Sequence, residues 1–264
     1  MRADQYVRRD GPKKQGTELL TKKKKERIQM NAVEKDIAVS GDARIAVIGI
    51  GGAGVRIASM LYGKMRRVGV IAINTDKKAL ETAAADTRLY ICKEVTKGLG
   101  TNGDPALGKK CAQIHEAEIT AAVSKYDCAY IIAGMGGGTG SGAASVVAEL
   151  CDRAGVKVGA ITIMPFGFET GRSIKAAEGY RALHAVCQDI VRCENDKVLS
   201  VEGIKTLDEA MNTMNEMIVR KVEHAIEDAH ELIRQDIAKR MCQQDVSPVT
   251  ETFASAAFQA QKSL

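Results

Sequence analysis

Residues Gly134–Gly142 read GMGGGTGSG, six glycines in nine positions, directly after the apolar run Cys128–Ala133. A buried strand that runs into glycines and then a helix is suited to holding phosphate. Glycine lets the backbone take positive φ and lets an anion approach where a Cβ would stand in the way. Consecutive N–H groups then converge on one cluster of oxygens, and the positive end of the following helix (expected from about Gly142 to Arg153) adds to the attraction. A tight strand–helix turn needs fewer glycines, so the excess points to an anion.

Two further loops have the same character. Gly49–Gly54 reads GIGGAG, which fits G-x-G-x-x-G between a short apolar strand at 44–48 and a helix ending near Met65. Asp76 follows at the end of a second strand, about 22 residues on, where a ribose-binding acid belongs in a dinucleotide site. Lys97–Pro105 is a third glycine-rich loop. In a parallel sheet all strand-to-helix loops share one edge, where ligands bind. Three glycine loops on one edge suit a triphosphate better than a pyrophosphate, which leaves a Rossmann-type dinucleotide-binding enzyme as a remote alternative. No GK[ST] stands beside Thr139 or Ser141, so a P-loop is excluded. H-E-x-x-H, G-x-S-x-G and kinase signatures are also missing from the sequence.

The elements that must carry these loops alternate. Short apolar strands are expected at 44–48, 70–73, 89–91, 128–133, 157–163 and 189–193, with helices between them. Asp104 and Pro105 are placed to cap and start a helix running to about Ser124. Repeated βα units with apolar strands predict an α/β fold, a doubly wound parallel sheet with helices on both faces. From Thr206, residues Leu207, Met211, Met214, Ile218, Val222, Ala225 or Ile226, Ala229 and Ile233 recur at helical spacing. That predicts one long helix to about Asp236, packed on the sheet by its methionine stripe. The expected organisation is a basic extension at 1–40, a nucleotide domain at 41–204, the long helix at 205–237 and a tail at 238–264. Short helices are expected at 17–30 and 248–259, and the tail is expected to hold no second folded domain.

Composition bounds the function. The net charge is +5, and residues 1–36 hold eleven Lys/Arg against six Asp/Glu, densest at Lys22–Lys25. Without interleaved aromatics this arm reads as a solvated, partly disordered segment that could touch an acidic partner or anionic membrane; specific nucleic-acid binding is not expected. The seven cysteines lack CxxC or zinc spacing and sit mostly in apolar stretches. With no apolar run approaching the ~20 residues of a membrane span, the chain reads as cytoplasmic.

At this point a family resemblance becomes specific. GGGTGSG at 136–142 resembles the tubulin/FtsZ signature G-G-G-T-G-[ST]-G. In order along the chain, GIGGAG at 49–54, INTD at 73–76, KGLGTNGDPALG at 97–108, PFGFE at 165–169 and ND at 195–196 follow. They resemble that family's first glycine loop, NTD loop, RGLGAGGNP loop, PFxFEG loop and PND loop. The resemblance implies a GTP-binding domain whose long helix joins a smaller second domain. It also implies head-to-tail polymers in which the next subunit supplies the acid that triggers hydrolysis. Carried over by position, Gly51, Gly52 and Gly54 would cradle phosphates. Gly136, Gly137, Gly138, Thr139 and Gly140 would hold the β- and γ-phosphates. Asn74 and Asp76 would lie near the nucleotide and the water shell of a Mg²⁺ held through the phosphates. Gly100, Thr101 and Asn102 would sense the γ-phosphate, Glu169 would bond the ribose and Asn195 would face guanine. Loop geometry or helix capping is the alternative role for each, above all for Asn74, Asn102 and Asn195.

The departures are as informative. Val55-Arg56 stands where the family usually has a guanine-binding Asn, Glu216 stands for the guanine-reading Asp, and Arg172 comes three rather than four residues after Glu169. No N-x-D-x-x-D follows Ile233. No catalytic or metal-ligating side chain is therefore assigned. The expectation is a GTP- or GDP-binding FtsZ-like protein linked to cell division or cytoskeletal assembly, with weak or no hydrolysis by itself. The alternative is a nucleotide-dependent regulatory or scaffold module acting on another polymer or a membrane complex. Self-association or an FtsZ-like partner is expected, with Met211, Met214, Met217 and Ile218 as a candidate helix–helix seam.

Overall fold

The computed structural model describes residues 43–201 and 203–243, with side chains described as far as 235. The basic extension and the expected helices at 17–30 and 248–259 lie outside the described residues. Six strands form one parallel sheet: β1 (Ile45–Ile50), β2 (Val68–Asn74), β3 (Thr87–Tyr90), β4 (Cys128–Gly134), β5 (Lys157–Met164) and β6 (Ile190–Glu194). Their order is β3-β2-β1-β4-β5-β6. The direction of winding reverses between β1 and β4, and the crevice at such a reversal is where an open α/β sheet binds ligands. The register brings Ile50 level with Ile73 on β2 and with Ala133 on β4, so the loops after these strands start side by side.

The helices are α1 (Gly51–Leu61), α2 (Lys77–Glu81), α3 (Lys93–Thr96), α4 (Pro105–Ile114), α5 (Glu116–Val123), α6 (Gly138–Arg153), α7 (Thr170–His184) and α8 (Leu207–Gln243), with a 3₁₀ turn at Asn195–Ser200. One face of the sheet packs Ala46, Ile48, Ile50, Ile71 and Ile131 against α4, α5, α6 and α7. On the other face α1 and α8 pack together. All six residues of β1 are buried, as a strand covered on both sides requires. Each buried Ile or Val there contributes about 1.5–3 kcal/mol. No helix among the described residues is long and apolar enough to cross a membrane.

Four helices differ from expectation. The one expected to end near Met65 stops at Leu61. The helix expected from Pro105 to Ser124 is two, broken at His115. The His115 ring is held from outside: Nε2 accepts from the Cys92 N–H at 2.9 Å, and Nδ1 lies 3.2 Å from Glu118 Oε1. The helix expected from Gly142 begins at Gly138 instead. Its interior glycines allow close packing: a Cβ on Gly142 would overlap Pro105 O, and one on Gly138 would stand 2.7 Å from Asp104 N. The long helix, expected to end near Asp236 with a tail from 238, continues to Gln243, 37 residues in all. At a 1.5 Å rise per residue that is about 55 Å.

The stripe on α8 is confirmed for Met214, Ile218, Val222, Ile226, Ala229 and Ile233, all buried and joined by Ala210, whereas Leu207 and Met211 of the stripe and Met217 of the seam are exposed. The four-residue seam is therefore corrected: Met214 and Ile218 serve the chain's own core. Tyr130 Oη donates to Ala225 O at 3.2 Å, fixing β4 to this helix.

Candidate nucleotide-phosphate site

At the C-terminal edge of the sheet, at the reversal between β1 and β4, lies a cleft of about 380 Å³. Its walls come from five places. The first turn of α1 gives Gly51 and Gly52, the end of β2 gives Asn74 and Asp76, and the loop after β3 gives Gly100, Thr101 and Asn102. The start of α6 gives Gly137, Gly138, Thr139 and Gly140, and Arg172 reaches in from α7. Twelve residues singled out from sequence thus converge on one cavity. Ile50, Ala53, Gly103, Gly134 and Met135 also line it. All five lie within the three glycine loops, and only their apolar or featureless side chains kept them from being singled out.

The two helices that face the cleft at their N-termini, α1 and α6, have no side-chain cap and no acidic residue in the first turn. Their first N–H groups and positive dipole ends are therefore turned toward the cleft with no anion of the chain's own. Gly51 takes φ +71°, and a Cβ there would stand 2.9 Å from Gly140 N, so the two turns close on one another.

Asn74 is 2 % exposed. Its Oδ1 accepts from the Thr75 N–H at 2.9 Å and the Asp76 N–H at 3.3 Å, which fixes which end of the amide is oxygen. Its Nδ2 has no hydrogen-bond partner among the described residues. A buried unpaired donor of this kind costs about 1–3 kcal/mol, and Asn74 is one of the residues that line the cleft. Asp76 is in part a helix cap, since its Oδ1 accepts from the Ala79 N–H at 3.0 Å.

The loop after β3 is clamped over this cleft. Lys77 N–H donates to Gly98 O at 3.2 Å, Thr96 Oγ1 donates to Thr75 O at 3.1 Å, and Asp76 and Leu99 form an antiparallel bridge. From the other side Lys175 Nζ donates to Gly103 O. Within it Lys97 and Asn102 take φ +50°, a left-handed conformation that non-glycine residues rarely adopt.

Six sequence candidates do not line the cleft. Gly54 packs α1 onto the sheet, where a Cβ would overlap Ile132 O. Gly136, at φ +88°, lies against the backbone of Arg172 and donates its N–H to Ser141 Oγ at 2.8 Å. Glu169 pairs with Arg172 at 2.9 Å. The Arg56 guanidinium donates to Asn212 Oδ1 on α8 at 3.3 Å. Asn195 opens the 3₁₀ turn, and its neighbour Asp196 accepts from the Gly167 N–H at 2.9 Å, tying down the loop that carries Glu169. Glu216 is exposed on α8. The phosphate-type walls are assembled, and the residues proposed for ribose and base stand apart from them.

The cysteines offer no chemistry here. All six whose side chains are described are free and buried. Burial pushes the Cys111 and Cys151 thiols up to about 12 and Cys187 to about 11, which removes them as nucleophiles near neutrality.

Strand order alone does not separate this cleft from a dinucleotide site. The sequence match does. The pattern described as "Tubulin/FtsZ family, GTPase domain" matches residues 44–203. The chain belongs to the tubulin/FtsZ family. It is 33% identical over 206 residues to the cell division protein FtsZ 2 of Haloferax volcanii, a match covering 78% of this chain and 52% of that one. With the FtsZ 1 of Pyrococcus horikoshii it shares 36% identity over 194 residues, covering 71% and 51%. The chain thus spans about half the length of these division proteins. Among solved structures, the empty FtsZ dimer of M. jannaschii superposes with a TM-score of 0.68 at 31% identity, covering 73% of this chain and 60% of that one. CetZ2 from Haloferax volcanii, solved as a GTPγS-bound protofilament, gives 0.64 at 26% identity, covering 71% and 59%.

Proposed function

We propose that this FtsZ-like chain binds GTP or GDP through the phosphates and that, by itself, it hydrolyses GTP weakly or not at all. The observation that carries the reading is the buried Asn74, with its unpaired Nδ2, in the wall of a cleft between two uncapped helix N-termini. A phosphate oxygen meets all three demands at once. Gly137–Gly140, Gly51 and Gly52 hold the chain of phosphates, and Gly100, Thr101 and Asn102 lie over its end. Mg²⁺, which would supply charge neutralisation, would be held through phosphate oxygens beside Asp76. Among the described residues no group of three His, Cys, Asp or Glu side chains could hold a metal by itself. Glu169, Asn195, Arg56 and Glu216 are the candidates for ribose and base, while Arg172 lines the cleft itself.

Weak turnover follows from the sequence, which lacks N-x-D-x-x-D after Ile233. Asp228 and Glu231 are exposed positions on α8 without that pattern. Water orientation of this kind is worth orders of magnitude in nucleotide hydrolysis. On the same edge of the sheet Leu99, Phe168, Ile174 in the first turns of α7 and Leu199 in the 3₁₀ turn are exposed to solvent. That rim suits association with a second copy or with a longer FtsZ-like protein, in cell division or cytoskeletal assembly. The apolar rim, combined with the missing acid pattern, also favours a second reading: a nucleotide-dependent regulatory or scaffold module that docks on another polymer.

The test is to denature the purified full chain and identify the nucleotide released, then to follow GTP turnover against protein concentration. Guanine nucleotide with turnover that stays flat is expected. Release of NAD, or turnover that climbs with concentration, would overturn the reading. Electron microscopy with GTP, with and without a full-length FtsZ, separates the polymer-forming role from the regulatory one.

A further inference from the structure

Thr75 does not line the cleft, yet its hydroxyl meets Thr139 Oγ1 at 2.7 Å. Thr75 is fully buried and Thr139 is 6 % exposed. Thr101 Oγ1 lies on the other side of Thr139 at 3.4 Å. Three hydroxyls share three protons, and the direction of each bond can be worked out. Among the described residues Thr75 Oγ1 has Thr139 as its sole hydrogen-bond partner. If Thr75 accepted, its own proton would be buried with nothing to meet, a loss the chain avoids by letting Thr75 donate. Thr139 then accepts, and its own proton turns either to Thr101, at a distance beyond a good O–H···O bond, or to the cleft. Thr75 is itself held fast: its N–H donates to Asn74 Oδ1 at 2.9 Å, and its carbonyl accepts from Thr96 Oγ1 at 3.1 Å.

We propose that Thr75 is a positioning residue that sets the Thr139 hydroxyl as a hydrogen-bond donor to a phosphate oxygen. The proposal rests on the phosphate-binding reading above. With one lone pair of Thr139 occupied by Thr75, the hydroxyl presents its proton, not its oxygen, to the cleft. The benefit is to the anion and needs no cation.

Calorimetric titration of the full chain with GDP, in EDTA and again in Mg²⁺, tests this with T75V, T75S, T139V and the T75V/T139V double variant. T75V is expected to weaken GDP binding by roughly three- to tenfold in both buffers, the worth of about one hydrogen bond. T75S is expected to restore it, and T75V is expected to cost nothing further in the T139V background. Unchanged affinity in T75V, or the same penalty with Thr139 already removed, would overturn the proposal. Should T75V lower the unfolding midpoint, Thr75→Ala carries the same double-variant comparison. Failure of the wild-type chain to bind GDP would instead remove the phosphate-binding reading itself, so the two failures are distinct.

Discussion

Helices α1 and α6 begin differently from α2 and α4, although all four start on the same edge of the sheet. Asp76 caps α2, and Asp104 caps α4 by accepting from the Ala106 and Leu107 N–H groups at 2.9 and 3.3 Å, with Pro105 in the first turn. α1 and α6 have glycine-rich starts and neither a cap nor an acid. The capped pair has its N-terminal amides satisfied from within the chain, a choice worth about 1 kcal/mol per helix. The uncapped pair forgoes that stabilisation at the two turns that face one cavity. These four helix starts thus divide into two capped from within the chain and two that, on the proposed reading, are left open for an anion.

The sharpest way to break this contrast is to cap α6. Gly137 has φ −85° and ψ 170°, and a Cβ there meets nothing nearer than Gly134 O at 4.0 Å, so Gly137→Asp can be accommodated. Its carboxylate should occupy the free amides, raise stability by about 1 kcal/mol in a denaturant titration, and weaken GDP binding by roughly a hundredfold or more. A variant that binds GDP as the wild type does would show that these amides do not face phosphate.

Next in size is Asn74→Asp. Both turn acceptors survive, but the Nδ2 donor becomes an acceptor beside the phosphates, and affinity should fall by roughly ten- to a hundredfold with the unfolding midpoint nearly unchanged. A fall in midpoint without loss of affinity would assign Asn74 to the turn alone. The opposite signature is expected from Asp104→Ala on a capped helix: about 1 kcal/mol of stability lost, and GDP affinity within roughly threefold of the parent. The smallest effect concerns the buried thiols. Their folded pKa values lie above the unfolded value near 9, so the stability they confer is fully present below pH 9 and is lost as pH rises toward 12. Denaturant midpoints measured from pH 8 to pH 11 should fall accordingly, and thiol reagents at pH 8 should leave Cys111 and Cys151 unmodified in the native chain.

The walls of the cleft were legible in the sequence because glycine-rich backbone makes them, and glycine marks where backbone must be approached. The parallel sheet was legible because runs such as Ile45–Ile50 are apolar at every position, which only a strand covered on both faces tolerates. What stayed hidden depends on partners distant along the chain. The break at His115 is set by Cys92, 23 residues away. Gly138 and Gly142, two of the six glycines in the signature loop, serve close packing against α4 and its cap Asp104, a demand invisible until that helix is in place. The residues carried over for ribose and base come from α1, α7, the turn after β6 and α8, and nothing local in sequence reports how four such elements meet. Thr75 was passed over because it stands between two residues with more obvious chemistry.

The bridge between Asp76 and Leu99 has a consequence for assembly. Leu99 is 76 % exposed, the highest value among the large apolar side chains described. It is joined through two backbone strands of minimal length to a carboxylate residue that lines the cavity. Whatever stills one turn therefore narrows the wandering of the other. A filled cavity would present the rim as a stiffer, better-defined surface, and a neighbour docking there would have less disorder left to remove.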